Sequence, residues 1–324
     1  MATTRFEVQL QYGRHEVLCH VKQLLQNNTH WTFSGAEFDL IPHPATVALA
    51  RDEQHTIVGC AVLANPVRDS TTYWVGLVIV AKSYRRMGAA TSMLNKLLSG
   101  VSNGYVALAA ALMAVPLYHS IGFRELTHLT IGYWCLLLDQ GGSEEACHIQ
   151  DDDGHNVRTI TDHSDALHSA AKRLYTKVAG NRAFALDYIL KHAVKGQCVA
   201  YLNEDQRNVY AAAWIRSVQS EGGTGVEAWL GPFVGGTDRT RLKRVLQRVA
   251  SECARMPGVR RVCCLGSNEA LLAEAEFEKV RRVPIMALRV DDGVRTGCDV
   301  MDHVELAASS PTQRYHALCD WFAG

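Results

Sequence analysis

The sequence predicts an α/β (α+β) fold divided between two domains. The chain has 324 residues, of which 48% are hydrophobic and 20% charged, so it can bury a sizeable core and has a length typical of two domains. Predicted strands and helices follow one another in a similar order in each half, and a polar, glycine-containing stretch lies between the halves. We therefore expect a first domain at 1–140, a linker at 141–156 and a second domain with a C-terminal tail at 157–324.

The first half alternates short apolar runs with longer amphipathic segments. Short apolar runs bounded by turn residues predict strands, whereas an apolar stripe at a spacing of three and four residues predicts a helix. In chain order these patterns predict a helix at about 13–27, strands at 46–51, 57–64 and 73–80, a helix from Ala90, a strand at 105–108, a short helix around Tyr118 and a last strand from Phe123 to Leu138.

The stretch from Val78 to Ala90 is the most informative in the chain. An apolar strand runs into a compact loop with the pattern Arg85-x-x-Gly88-x-Ala90, and an amphipathic helix follows. The first N–H groups of a helix have no partner within it, and the helix dipole makes that end positive. The loop and the start of the helix are therefore predicted to bind an anion such as a pyrophosphate, mainly through the backbone.

A second motif lies farther along the chain. Leu117-Tyr118 falls in a short predicted helix, and Gly122-Phe123 would end that helix and begin the next strand. Together the two motifs resemble those of the GNAT superfamily of N-acyltransferases, whose cofactor loop reads Gln/Arg-x-x-Gly-x-Gly/Ala after a strand. The resemblance implies that each domain is a mixed, mostly antiparallel twisted sheet flanked by helices, and that the first domain binds an acyl-CoA.

The resemblance also implies which residues hold the cofactor. The pantetheine would pair with the backbone of three strand residues, Val78, Ile79 and Val80. The pyrophosphate would lie on the backbone amides of Arg86, Met87, Gly88, Ala89, Ala90 and Thr91. Arg85 and Arg86 would add positive charge, since two arginines at a helix start are otherwise unfavourable.

Tyr118 is the catalytic residue that the resemblance implies, and its family role is to assist departure of the CoA thiolate. A tyrosine of pKa about 10 would give its proton to a thiolate of pKa about 8.5 at a cost of roughly 2 kcal/mol. Hydrogen bonding to the sulfur is therefore the better description of this role.

The predicted central strand offers no general base. Many GNAT enzymes place a glutamate there, whereas residues 73–80 contain no carboxylate. Each candidate elsewhere also has a structural or surface interpretation, and the candidates are Glu37, Asp39, His43 and His119. His119 follows Tyr118 directly, but successive helix residues point about 100° apart, so adjacency does not place both in one site.

The second half repeats the order of elements without the motifs. Its patterns predict helices at about 162–178 and 183–193, strands at 197–202, 209–218 and 226–234, a helix at 237–255, a strand at 259–265, a short helix at 268–275 and a strand at 283–290. Gly235-Gly236-Thr237-Asp238 stands where the cofactor loop would be, and Glu276-Phe277 replaces the Gly-Phe pair. The chain thus resembles tandem-GNAT acetyltransferases with a degenerate second repeat that does not bind CoA in the usual way.

Composition excludes several other classes of function. Lysine plus arginine equals aspartate plus glutamate at 33 each, which argues against a broad electrostatic grip on nucleic acid or an anionic membrane. No apolar run is long enough to span a bilayer. Ten cysteines without a Cys-x-x-Cys pair indicate reduced thiols, so we expect a cytoplasmic protein, and no metal-binding motif is present.

These inferences predict an N-acetyltransferase that moves an acetyl group directly from its cosubstrate acetyl-CoA to an amine of a small molecule or peptide, without a metal. The loop at 31–44 and the second domain would line the acceptor groove. Two alternatives stay open. The missing strand carboxylate suits a non-catalytic acyl-CoA-binding or interaction protein, and an apolar acyl tunnel would suit a transferase of longer acyl chains. The sequence indicates no oligomeric state.

Overall fold

The chain forms two compact units that do not follow a single cut through the sequence. The computed structural model describes residues 6–12, 15–28, 45–64, 71–138, 157–159, 199–201, 209–220, 223–235, 238–266, 268–297 and 314–318. Unit 1 comprises Met1–Thr130, Val283–Asp302 and Trp321–Gly324, and unit 2 comprises Ile131–Arg282 and His303–Asp320. The predicted linker and the predicted helices at 162–178 and 183–193 lie outside the described residues.

The elements of unit 1 confirm the strands and helices predicted for the first half. In chain order they are β1 (Glu7–Tyr12), α1 (His15–Asn28), β2 (Ala45–Arg51), β3 (Ile57–Ala64), β4 (Thr72–Val80), α2 (Ala89–Leu98), β5 (Gly104–Ala109), α3 (Val115–Ile121) and the first part of β6 (Arg124–Leu137). Only β1 was not predicted. Its sequence alternates polar and apolar residues, and its pairing with β2 at the edge of the sheet defines it as a strand.

The remaining elements belong largely to unit 2 and also confirm the predicted order. They are β7 (Val157–Thr159), β8 (Val199–Tyr201), β9 (Val209–Ser220), β10 (Gly223–Gly235), α4 (Arg239–Ala254), β11 (Val259–Gly266), α5 (Glu269–Glu274), β12 (Glu278–Asp291), β13 (Val294–Gly297) and β14 (Arg314–Leu318). The sequence patterns predict neither the short strand β7 nor the two late strands β13 and β14, which lie in or next to a segment expected to be a tail.

Two strands contribute residues to both units. β6 starts in unit 1, but from Ile131 onwards it belongs to unit 2, where Gly132–Leu137 pairs antiparallel with β11. In the opposite direction β12 leaves unit 2 at Arg282, and Ile285–Val290 pairs antiparallel with β5 of unit 1. Each unit therefore completes its sheet with a strand from the other half of the sequence.

The sheet of unit 1 is mixed and mostly antiparallel. β1, β2, β3 and β4 form consecutive antiparallel pairs, β4 and β5 are parallel, and β5 and β12 are again antiparallel. Helix α1 packs against β3 and β4, whereas α2 packs against β2 and β3. Two separate apolar clusters, one containing residues of α1 and the other residues of α2, cover the sheet.

Helix α2 is fixed by the apolar stripe that the sequence predicts. Its four large apolar residues are at most 1% exposed, and they are Met93, Leu94, Leu97 and Leu98. Burying each side chain of this size contributes about 1.5–3 kcal/mol. The stripe also includes Ala89, which is fully buried, while Ala90 is half-buried. This packing holds the start of α2 in place beside the end of β4.

The sheet of unit 2 is built on the same plan. β9 and β10 are antiparallel, β10 and β11 are parallel, and β11 and β6 are antiparallel. Helix α4 buries the predicted stripe of Leu242, Val245, Leu246 and Val249, each at most 2% exposed. The short strands β7 and β8 form a separate antiparallel pair. This plan confirms the predicted fold class, a mixed sheet flanked by helices.

Candidate functional site

The two parallel strands at the centre of unit 1 part after a short paired stretch. Thr72, Tyr73 and Trp74 pair with Tyr105, Val106 and Ala107. From Val75 to Val80 no strand among the described residues pairs with this edge of β4, while β5 continues along β12. The opening leaves backbone N–H and C=O groups of β4 available to an extended ligand. Val78, Ile79 and Val80, which the sequence predicts to hold pantetheine, lie along this edge.

A β-bulge lies in the unpaired part of β4. Gly76 pairs with Val62 and Ile79 with Cys60, so two residues, Leu77 and Val78, oppose one residue of β3. Leu77 has a φ of +52° although it is not glycine, and its side chain is buried. Such a conformation costs about 1–3 kcal/mol and is typical of functional sites. A bulge of this kind bends the strand that carries it.

The loop after β4 brings an exposed backbone to the start of α2. Arg86 has a φ of +63° and Gly88 a φ of +90°. Residues 85–88 are exposed, and a Cβ built on Gly88 would meet no atom within 4 Å. Open space therefore lies directly in front of the helix.

The start of α2 leaves several backbone N–H groups without a helical partner. Gly88 is the N-cap and has no side chain that could cap the helix. The first bond to its carbonyl comes from the Ser92 N–H at 2.9 Å, so the N–H groups of Ala89, Ala90 and Thr91 precede the first helical bond. These groups and the helix dipole favour an anion at this position.

Arg85 makes hydrogen bonds to two backbone carbonyls. Its Nε donates to the Val80 carbonyl at 3.1 Å, and its Nη2 donates to the Asn28 carbonyl at 3.0 Å. The Asn28 side chain in turn accepts from the Lys82 N–H at 2.9 Å. Arg85 therefore connects the end of β4 to the end of α1 and positions the loop. Arg86 makes no hydrogen bond to any described residue, so its charge is available to a ligand.

A tyrosine and an aspartate brace the same loop. The Tyr84 hydroxyl donates to the Asp52 Oδ2 at 2.6 Å, and the Asp52 Oδ1 accepts from the N–H groups of Gln54 and Thr56. The hydrogen bond from Tyr84 lowers the pKa of Asp52, and the same bond raises the pKa of Tyr84. No local sequence pattern indicates this pair, because Asp52 and Tyr84 are 32 positions apart.

Tyr118 is buried on α3 and belongs to the apolar cluster that includes α2, Val78 and Val80. Its ring packs edge-on against Phe123, with centroids 5.9 Å apart. Gly122 ends α3 with a φ of +114°, and the Phe123 N–H donates to the Tyr118 carbonyl at 3.0 Å. The predicted Gly-Phe pair thus terminates the helix and fixes the ring of Tyr118.

Burial determines the acidity of Tyr118. Its hydroxyl has no hydrogen-bond partner among the described residues, and it is not one of the polar atoms that are sealed from solvent. Desolvation raises its pKa to about 12. Proton transfer to a thiolate of pKa about 8.5 would then cost roughly 5 kcal/mol instead of 2. Tyr118 is therefore suited to donate a hydrogen bond while it keeps its proton.

Of the four candidate general bases, only His119 lies among the described residues. Glu37, Asp39 and His43 lie outside the described residues. His119 is exposed, and its Nδ1 is 3.1 Å from the Phe123 carbonyl at the end of α3. Among the described residues, no group of three or more His, Cys, Asp or Glu side chains is arranged to hold a metal ion.

A family comparison matches the segment that contains β4, α2 and α3. A sequence profile of the GNAT acetyltransferase domain matches residues 43–125, from just before β2 to the start of β6. Residues 43–125 belong to a GNAT acetyltransferase domain. GNAT acetyltransferases transfer acyl groups and generally use acetyl-CoA, so the assignment supports acyl transfer in general terms.

Solved GNAT structures resemble the chain well beyond the matched segment. A candidate acetyltransferase from Pyrococcus horikoshii superposes with a TM-score of 0.60 at 13% identity, over 98% of this chain and 96% of its own. A GCN5-related N-acetyltransferase from Sphaerobacter thermophilus gives 0.55 at 15% identity, over 90% and 98%. A tandem GNAT protein from the clavulanic acid biosynthesis pathway gives 0.58 at 14% identity, over 87% and 98%. At these identities the likeness is one of fold, and it includes the second half of the chain.

None of the curated proteins matches the chain at a significant level. Among the described residues, no helix has the length and apolar character needed to cross a membrane.

Proposed function

We propose that the chain is an N-acetyltransferase that moves an acetyl group from acetyl-CoA to an amine of a small molecule or a peptide. The observation that carries the proposal is the parting of β4 from β5 next to the uncapped start of α2, both inside the GNAT domain. An extended pantetheine needs a free strand edge, and a pyrophosphate needs free N–H groups. Both needs are met by adjacent parts of one strand, loop and helix.

The proposed roles follow from this arrangement. The backbone of Val78 to Val80 holds the pantetheine, except for the Val80 carbonyl, which already accepts from Arg85. The amides from Arg86 to Thr91 hold the pyrophosphate, and Arg86 adds charge. Acetyl-CoA supplies a thioester, so an N–C bond forms as the C–S bond breaks, and the proton lost by the amine nitrogen passes through solvent to the released CoA thiolate. Tyr118 donates a hydrogen bond to the departing sulfur and stays neutral.

The proposed acceptor is an amine of low pKa. β4 has no carboxylate, so no strand residue can take a proton from a charged amine. Deprotonating a lysine-like amine at pH 7 costs about 4.6 kcal/mol, whereas an α-amine costs only about 1 kcal/mol. Amines that are substantially neutral at pH 7 need the least help from a base.

Thiol release from acetyl-CoA tests this function. It should be measured with the full chain against a panel of amines matched in size and graded in pKa. We expect turnover to rise as the pKa of the amine falls, and Gly88→Glu, which puts a carboxylate in front of α2, to abolish both binding and turnover. Absence of acetyl-CoA binding, or binding that Gly88→Glu leaves unchanged, would refute the proposal.

A non-catalytic acyl-CoA-binding protein is the second candidate, and the absence of a carboxylate from β4 favours it. It predicts acetyl-CoA binding that depends on Gly88 together with no thiol release for any amine. Calorimetric titration with acetyl-CoA and with longer acyl-CoAs tests which length of acyl chain the protein binds. The cytoplasmic location expected from the cysteine pattern stays a prediction.

A further inference from the structure

The cleft between the parallel strands of unit 2 contains a strand of the chain itself. β10 pairs with β11 from Val226 to Leu230, and the two strands then part. Beyond that point Phe233, Val234 and Gly235 pair with β14 instead, and Leu265 and Gly266 of β11 pair with the other edge of β14. β14 is antiparallel to both neighbours, so it lies in the opening as a third strand.

The corresponding opening in unit 1 has no such strand among the described residues. In both units two strands pair in parallel and then part. A helix begins shortly after the first strand of each pair, β4 or β10, ends. In unit 1 the edge of β4 from Val75 to Val80 is unpaired within the described part of the chain. In unit 2 the backbone of β14 occupies the edges that an extended ligand would need.

The helix that follows the opening also differs between the units. The first helical bond goes to the carbonyl of Gly88 in α2 and to the carbonyl of Asp238 in α4, where the Leu242 N–H donates at 3.0 Å. The same position is therefore an open glycine in unit 1 and an exposed aspartate in unit 2. A carboxylate at a helix start competes with and repels a pyrophosphate.

We propose that the cleft of unit 2 is a strand-binding site whose occupant is the C-terminal strand β14, and that only unit 1 is open to acyl-CoA. The statement about acyl-CoA rests on the function proposed above. Pantetheine would have to break the pairs that β14 makes with two strands before it could form its own. Because β14 is tethered to the same chain, it is present at an effective concentration on the order of millimolar, and a free ligand must outcompete it.

Backbone amide exchange in the full chain tests the occupant. We expect the amides of 314–318 and of 233–235 to exchange at least about tenfold more slowly than in an unstructured peptide. Ala317 pairs with Phe233 and with Gly266, and Ala317→Pro removes its N–H, so protection should fall in β14 and in both partner strands. Ala317→Gly keeps the N–H and is the matched control. Wild-type amides of 314–318 that exchange like a free peptide would overturn the assignment.

Binding stoichiometry tests the consequence. We expect one acetyl-CoA per wild-type chain and none in Gly88→Glu. Two molecules per chain, or one that persists in Gly88→Glu, would refute the closure of unit 2. Complete absence of binding would overturn the function proposed for unit 1, whereas the exchange data decide on β14 independently. Retained acetyl-CoA binding by Ala317→Pro shows that unit 1 remains folded in that variant.

Discussion

Replacing Gly88 by alanine separates the cost of backbone strain from the loss of a ligand site. Gly88 has a φ of +90°, and an added Cβ meets no protein atom within 4 Å. The substitution should therefore lower the free energy of unfolding only by the left-handed penalty, about 1–2 kcal/mol. Its effect on acetyl-CoA should be larger, because the Cβ enters the open space in front of α2. Loss of one charge-assisted hydrogen bond, about 1.5–3 kcal/mol, corresponds to an affinity about 10- to 100-fold weaker.

Gly293 provides the matched control in the same unit. It has a φ of +77°, an added Cβ there also meets nothing within 4 Å, and its N–H donates to Ser102 beyond the far end of α2. Gly293→Ala should have the same penalty in thermal unfolding but leave acetyl-CoA affinity unchanged in calorimetry. If the two variants bind acetyl-CoA equally well, or are weakened equally, the anion site at Gly88 is wrong.

Three further outcomes follow from the same contacts. Tyr118→Phe should lower kcat about 100-fold but lower the free energy of unfolding by less than about 1 kcal/mol. The pH–rate profile of the wild type should show no ionisation of Tyr118 below its pKa of about 12. An unchanged kcat in Tyr118→Phe would contradict the proposed role of this residue. Arg85→Ala should lower the free energy of unfolding by about 1 kcal/mol. Arg86→Ala should leave stability unchanged but weaken acetyl-CoA binding in a salt-dependent way. Weaker binding in Arg85→Ala together with lower stability in Arg86→Ala would contradict this assignment of roles. The hydrogen bond between Cys135 and Cys263 lowers the pKa of the half-buried Cys135 thiol, so its alkylation rate should rise at a lower pH than that of an ordinary thiol, while buried Cys60 stays unreactive. A Cys135 midpoint at the ordinary thiol pKa would contradict this.

The brace between Asp52 and Tyr84 ties the stability of the cofactor loop to pH. The pKa of Asp52 is lowered in the folded chain, so the carboxylate contributes stability above its ordinary value of 3.8, and that contribution disappears as pH falls through the lower folded value. Comparing acid unfolding of the wild type with that of Tyr84→Phe measures the contribution. The two curves should converge at low pH, and a constant difference between them would contradict the linkage.

The sequence by itself determined the features that depend on neighbouring residues. The apolar runs set β2 to β5, the stripe of Met93 and its neighbours set α2, and the left-handed end of a helix explains Gly122. Their order along the chain was enough to indicate the GNAT domain, because a strand, loop and helix that follow one another form a local unit.

Only the tertiary structure decided where strands find their partners and which polar groups are already used. No local pattern indicates that β6 pairs with β11 and β12 with β5, that β4 parts from β5 after Trp74, or that β14 fills the opening in unit 2. Nor does the sequence around Arg85 show that its guanidinium donates hydrogen bonds to the carbonyls of Val80 and Asn28. Strand pairing and hydrogen bonding join residues far apart in sequence, and they depend on which alternative partners the folded chain leaves free.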